Sequence, residues 1–275
     1  MTSPSTRPAP HQPSTLAIGL RRGGVEIRQI LRQKDTLIFT FTFPVIIMLT
    51  FGAVFNREIP GTGVDFRQYF MAGMIATGVM AAAFITLGVG IAIERDDGTL
   101  KRLRGTPMRA SSYFIGKFVM VFALCLGQVV LLLGVATLFL GLSLPETGAR
   151  WLTFAWVMAL GVLACTVLGI AISAVPRSGR SAAGVVVLPF MVLQFVSGVF
   201  FVFTQMPAGV QQVGALFPLK WMGQGLRSAF LPDVLQRVEA AGSWDHGTTA
   251  LVLGAWVVGG TLVSLLTFRW YRQAV

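Results

Sequence analysis

The sequence predicts an all-α polytopic membrane protein. It has six transmembrane helices, an N-terminal amphipathic interfacial helix, and short re-entrant extracellular helices before the last span. Three observations predict this. Of 275 residues, 54% are hydrophobic and only 12% are charged, against about 25% charged in an ordinary soluble domain. Six apolar runs are long enough to cross a bilayer, which takes roughly 20 residues of helix. The runs are continuous, whereas a spanning β-barrel shows short alternating segments.

Taken in order, residues 1–14 are rich in Pro, Ser and Thr and lack an apolar core, so they read as a disordered tail with no cleavable signal. Residues 15–34 place Leu16, Leu20, Ile27, Ile30 and Leu31 on one helical face and Arg21, Arg22, Arg28 and Arg32 largely elsewhere. That is the pattern of a helix lying in the headgroup layer, although Gly23 and Gly24 weaken it by about 1 kcal/mol each. Residues 35–275 hold the spans, expected at about 37–55, 69–93, 115–142, 151–175, 183–203 and 248–268. Pro44 and Pro189 fall inside the first and fifth and are expected to kink them. Gln128, in the third, is expected to hydrogen-bond across helices.

Basic residues favour the cytoplasmic side. With the N-terminus inside, 16 of the 22 Lys and Arg fall on that side, and the outside carries six bases and six acids. The net charge of +11 then lies on the cytoplasmic face, with both termini there. Topology and anionic headgroups account for the excess without nucleic acid.

Several chemistries find no residues. Set aside their flanks, and the spans contain no Asp, Glu, Lys, Arg or His, so no ion relay is offered. Cys125 and Cys165 lie in apolar runs without the spacing of a disulfide framework or a zinc site. His11 and His246 join no catalytic set, the Asp245–His246 pair is too small for a metal site, and no metal is expected. The phosphate-binding pattern GxxxxGK[ST] is absent, so any ATP must be bound by another chain.

The densest polar stretch follows the second span: IERDDGTLKRLRGTP, residues 93–107. Asp96, Asp97 and Gly98 suggest a turn, and Thr99 is expected to cap a short helix. Its sides would be Leu100 and Leu103 on one hand and Lys101, Arg102 and Arg104 on the other. Gly105 and Pro107 stop it, and Ser111 or Ser112 is expected to cap the third span. From physics alone, a rigid force-transmitting element and an ordinary solvated loop are equally good readings. Residues 208–235 are too broken by Gly and Pro to span, yet too apolar for a solvated loop. A re-entrant helical pair would bury them with backbone groups satisfied.

The knot resembles the cytoplasmic motif of ABC type 2 exporter permeases of the daunorubicin-resistance kind, E-[KR]-x-x-G-T-[LM]-x-x-L-x-x-[ST]-P. Glu94, Arg95, Gly98, Thr99, Leu100, Leu103, Thr106 and Pro107 match it. A second resemblance covers SGVFFVFTQMP (197–207) and FPLKWMGQGLRSAF (217–230), where Pro218, Leu219, Leu226 and Arg227 match. Phe217 stands where the family usually has Asn, and Lys220-Trp221 departs from its usual pair.

The resemblance implies a permease subunit, not itself an enzyme, of an exporter of lipophilic small molecules or drugs. It would work with a second permease copy or paralogue and two cytoplasmic ATPase subunits that bind ATP and Mg. The family reading places it in the plasma membrane of a bacterium. The knot becomes the ATPase-coupling helix and residues 15–34 the connecting helix. Pro218, Leu219 and Arg227 belong to an outer gate. The path, along spans 2 and 5, would offer Met74, Phe84, Met191, Gln194 and Phe195 as adaptable apolar contacts. Export of lipid-linked glycans or polysaccharide is the alternative within the class, and a non-transporting scaffold the alternative outside it.

Overall fold

The computed structural model describes residues 14–54 and 58–268. The expected tail over residues 1–13, together with Arg57, Arg269 and Arg272, lies outside the described residues. Helix α1 is Thr15–Arg32, and α2 is Lys34–Val54. The second span, Phe66–Asp96, is one apolar column made of α3 (Phe66–Met80), a π-helical turn (Ala81–Ile85) and α4 (Thr86–Asp96). Helix α5 (Thr99–Arg104) leads to α6 (Ala110–Leu140), α7 (Gly148–Ile172) and α8 (Gly179–Val196). Two short helices, α9 (Ala208–Ala215) and α10 (Pro218–Phe230), precede α11 (His246–Thr267). The fold is all-helical as expected, and six helices are long and apolar enough to cross a membrane. At about 1.5 Å per residue, the 18 to 31 residues of these spans reach about 27 to 46 Å.

The second span is the hub. Some 72% of its apolar window is buried inside the protein, against 17% for the first span and 22% for the sixth. Every residue from Tyr69 to Met80 is buried, whereas Leu265 and Leu266 on α11 and Leu138 and Phe139 on α6 are exposed, as lipid-facing side chains are. Around the hub, α6 packs on α1 and α3, α7 on α10 and α11, and α8 on α4.

Several boundaries differ from the expectation, each for a local reason. The fifth helix stops at Val196 rather than running to 203, because Ser197 is followed by Gly198 in the left-handed region, at φ 71°. Thr99 does not cap α5. It is the first helical residue, and the carboxylate of Asp97 accepts its N–H at 2.8 Å. Neither Ser111 nor Ser112 caps α6, which starts at Ala110. Ser112 instead donates to the Thr15 carbonyl at 2.9 Å, stitching α6 to α1. Pro44 and Pro189 both sit within continuous helices. The Gln128 carboxamide is fully buried and has no hydrogen-bond partner among the described residues, contrary to the bond expected of it.

The glycines of α1 also change meaning. Gly19, Gly23 and Glu26 are its buried residues. A Cβ on Gly19 would lie 2.6 Å from Ile115, and one on Gly23 would lie 2.6 Å from Val119. Glycine there lets two helices touch backbone to side chain, the close approach common between membrane helices. The apolar residues Leu16, Leu20 and Leu31 are left exposed on the side away from α6.

Candidate functional site

The knot is built as a junction. Gly98 takes φ 76°, a conformation costly for residues with a Cβ. This turn separates α4 from α5. The buried side chain of Leu100 seats α5 on the bundle, while Lys101, Arg102 and Arg104 stay on its exposed side. Thr106 donates to the Leu103 carbonyl at 2.6 Å and closes the end before the exposed Pro107.

The three charged residues that precede the turn each reach a different element. Glu94 accepts from the Tyr113 hydroxyl at 2.7 Å and from Lys117 Nζ at 2.5 Å, both on α6. Arg95 donates to the Ser173 carbonyl at 2.6 Å, at the end of α7. Asp96 accepts the backbone N–H of Gly179 at 2.9 Å, at the start of α8. Lys117 then passes the network to α1, donating to Glu26 at 2.8 Å, and Arg22 closes on the other Glu26 oxygen at 2.7 Å. One turn of span 2 is thereby fixed to α6, α7 and α8, and through Lys117 to α1. Glu26 and Lys117 are 4% and 3% exposed, so the pair is shielded from water and from salt. Its worth lies in geometry, because desolvation offsets much of a buried pair's attraction.

The opposite end carries a second buried charged group. Arg227 of α10 is fully buried. Its Nε donates to Glu239 at 2.6 Å, and its guanidinium lies 4.2 Å from the centre of the Tyr69 ring. Burial alone would lower its pKa, but the Glu239 carboxylate more than offsets that and holds it above the ordinary arginine value. Lys220, in the first turn of α10, donates to Gln224 and lies over the Trp221 ring at 3.4 Å. Burial pushes its ammonium down to about 8. Gln224 in turn donates to the Trp244 carbonyl at 2.8 Å, and the Trp244 ring donates to Asp233 at 2.8 Å. That last bond holds the Asp233 carboxyl below its ordinary range. His246 meets the Ser228 hydroxyl at 2.9 Å, and Asp245 caps α11.

The motif residues Glu94 to Pro107 thus come together in one junction. Pro218, Leu219 and Arg227 are all buried in α10 against α3 and α7. The path residues separate. Met74 and Phe84 are buried within the second span, and Gln194 is buried on α8. Met191 and Phe195 are 52% and 56% exposed on the same helix, with Phe195 stacked on Phe200 at 5.1 Å. Sequence reasoning missed Glu26, Tyr113 and Lys117 at one end, and Tyr69, Lys220 and Glu239 at the other. A signal existed for Glu26, which continues the Gly19, Gly23 spacing at i+7. For Lys117 the signal was a cation at the start of the third apolar run, which demands a partner.

Residues 24–231 match the model of the ABC-2 type transporter family. Over 207 residues, 73% of this chain and 80% of the relative, the sequence is 26% identical to "Putative transport permease YvfS" of Bacillus subtilis (strain 168). The family match runs from the middle of α1 to the end of α10 and takes in the knot and Arg227, so the chain belongs to the ABC-2 type transporter family.

Proposed function

We propose that the protein is the transmembrane permease subunit of an ATP-driven exporter of lipophilic small molecules, with the knot as the place where a separate cytoplasmic ATPase pushes. The observation that carries this reading is the junction. A short helix with a cationic outer face is tied to span 2 directly and, through Glu94, Arg95 and Asp96, to α6, α7 and α8. Force on α5 therefore reaches four spans at once. An ordinary loop needs no such anchoring. Two ATPase subunits and a second permease complete the assembly, and both termini lie in the cytoplasm. ATP and Mg belong to the ATPase. Met191 and Phe195, exposed on α8, are the path residues available to substrate or to the second permease. Met74 and Phe84 would join them only after span 2 moves.

The test is purification in mild detergent followed by mass spectrometry of what remains bound. A stoichiometric ATPase in the wild type, lost or uncoupled in Glu94→Ala and Gly98→Pro, is the expected result. Glu94→Ala leaves Lys117 paired with Glu26, so the folded protein persists. Gly98→Pro replaces φ 76° with proline's fixed value near −65° and breaks only the turn into α5. A protein that purifies alone from its native membrane, with stable complexes otherwise intact, overturns the reading in favour of a scaffold.

A further inference from the structure

A groove of about 460 Å³ opens between the end of α1, the start of α2 and the middle of α6. Its walls include Ile27, Leu31, Ile38, Phe41 and Leu124, with the Thr42 hydroxyl as a lone side-chain polar group. Leu31 and Ile38 are 54% and 60% exposed, so the groove is open along one side. Arg28, Arg32 and Lys34 stand exposed at the end where α1 meets α2, and none of them forms a salt bridge among the described residues. Arg21, Arg28 and Arg32, at i, i+7 and i+11, share one stripe beside the apolar face of α1.

We propose that this groove is a binding site for one anionic phospholipid of the leaflet that borders α1. An acyl chain lies against Ile27, Leu31, Ile38 and Phe41, and the phosphate meets Arg28, Arg32 and Lys34. Charge complementarity selects this occupant. An apolar groove alone would accept any chain, but three exposed cations beside the lining stretch, Arg28 next to Ile27, Arg32 next to Leu31 and Lys34 before Leu37, with no salt bridge among the described residues, favour a headgroup with net negative charge. A second copy packed here about a two-fold axis fits poorly, since it sets its own Arg28, Arg32 and Lys34 against the same three cations. Gly127 keeps the groove open on the α6 side, where a Cβ would lie 3.2 Å from the Phe41 ring. The site has a mechanical consequence. The same helix that holds the lipid reaches Lys117 through Glu26, so lipid occupancy stiffens the arm that joins the knot.

The test is native mass spectrometry of the full chain in mild detergent, titrated with phosphatidylglycerol and with phosphatidylcholine carrying the same acyl chains. The wild type is expected to retain one phosphatidylglycerol in preference to phosphatidylcholine. Preference falls by about fivefold for each cation lost in the series R28Q, R32Q, K34Q at low ionic strength. Gly127→Leu, which fills the groove, lowers retention of both lipids alike. The three cations are exposed, so their replacement leaves the fold intact, and an unchanged unfolding midpoint verifies this. Equal retention of the two lipids by the wild type, or a preference untouched by the triple replacement, overturns the proposal. So does a protein dimer that Gly127→Leu dissociates while lipid retention stays constant.

Discussion

Arg227 shows how a single residue organises one end of the molecule. Its guanidinium is fully buried, yet it has one hydrogen bond, to Glu239. Nη1 and Nη2, and the second Glu239 oxygen, have no hydrogen-bond partner among the described residues. Such a pair contributes little net stability, because desolvation consumes most of the attraction. Breaking it is another matter, since the survivor is a buried charge without compensation. Glu239→Leu alone is therefore expected to cost about 3–5 kcal/mol, and Arg227→Met alone a similar amount. The double variant removes both charges and should recover most of the loss. Thermal unfolding in detergent measures all three. A double variant as unstable as either single one would mean that α10 is held by something other than the pair. The family resemblance implied an outer-gate place for Arg227, and charge counting only set Glu239 among the acids of the outside. Partner identity was invisible because the two stand twelve positions apart, across the end of α10 and a 3-10 helix over Asp233–Val238, a spacing that no single helical period predicts.

At the scale of elements, the spans were legible because a continuous apolar run of such length has few other places to go. Their packing was not legible. The helices are apolar on nearly all sides, so periodicity does not say which face meets protein and which meets lipid. Helix α1 is the instructive case. Its leucines stood out in the sequence, yet they are exposed, and the contact with α6 is made by Gly19, Gly23 and Glu26. The same reasoning separates two adjacent glycines. A leucine at Gly23 would drive into Val119, while Gly24 has nothing within 4 Å of a new Cβ. Gly23→Leu should loosen α1 despite leucine's good helix propensity. Gly24→Ala should firm it by up to about 1 kcal/mol. Trypsin reports on this directly, because Arg21, Arg28 and Arg32 are exposed on α1. Cleavage several-fold faster in Gly23→Leu and no faster in Gly24→Ala is the expected pattern. Equal rates in the two variants would mean that the glycine contact does not hold the helix.

Across the whole molecule, the second span joins the two charged ends. It bears Tyr69, against Arg227, near its start and Glu94, Arg95 and Asp96 at its finish. A π-helical turn at Ala81–Ile85 interrupts it between the two. Such turns are often found at functional positions. If the knot faces the cytoplasm, as the excess of Lys and Arg there predicts, this column offers a displacement at α5 a continuous route to α10 at the other end. Orientation is thus the property on which the transport reading turns, and the protein is well suited to its measurement. Both cysteines are free, 1% and 0% exposed, and within spans, so a membrane-impermeant maleimide meets almost no background. Lys101→Cys, on the exposed face of α5, should label only in inside-out vesicles. Glu146→Cys, in the turn between α6 and α7, and Ala240→Cys, beside Glu239, should label only from outside intact cells. The reverse pattern would invert the topology and remove the knot from any cytoplasmic ATPase. Labelling of all three from one side would contradict six crossings altogether. With the expected pattern in hand, protection of Lys101→Cys by a co-purified ATPase would show that the partner sits on α5, the helix that follows the turn anchored by Glu94, Arg95 and Asp96.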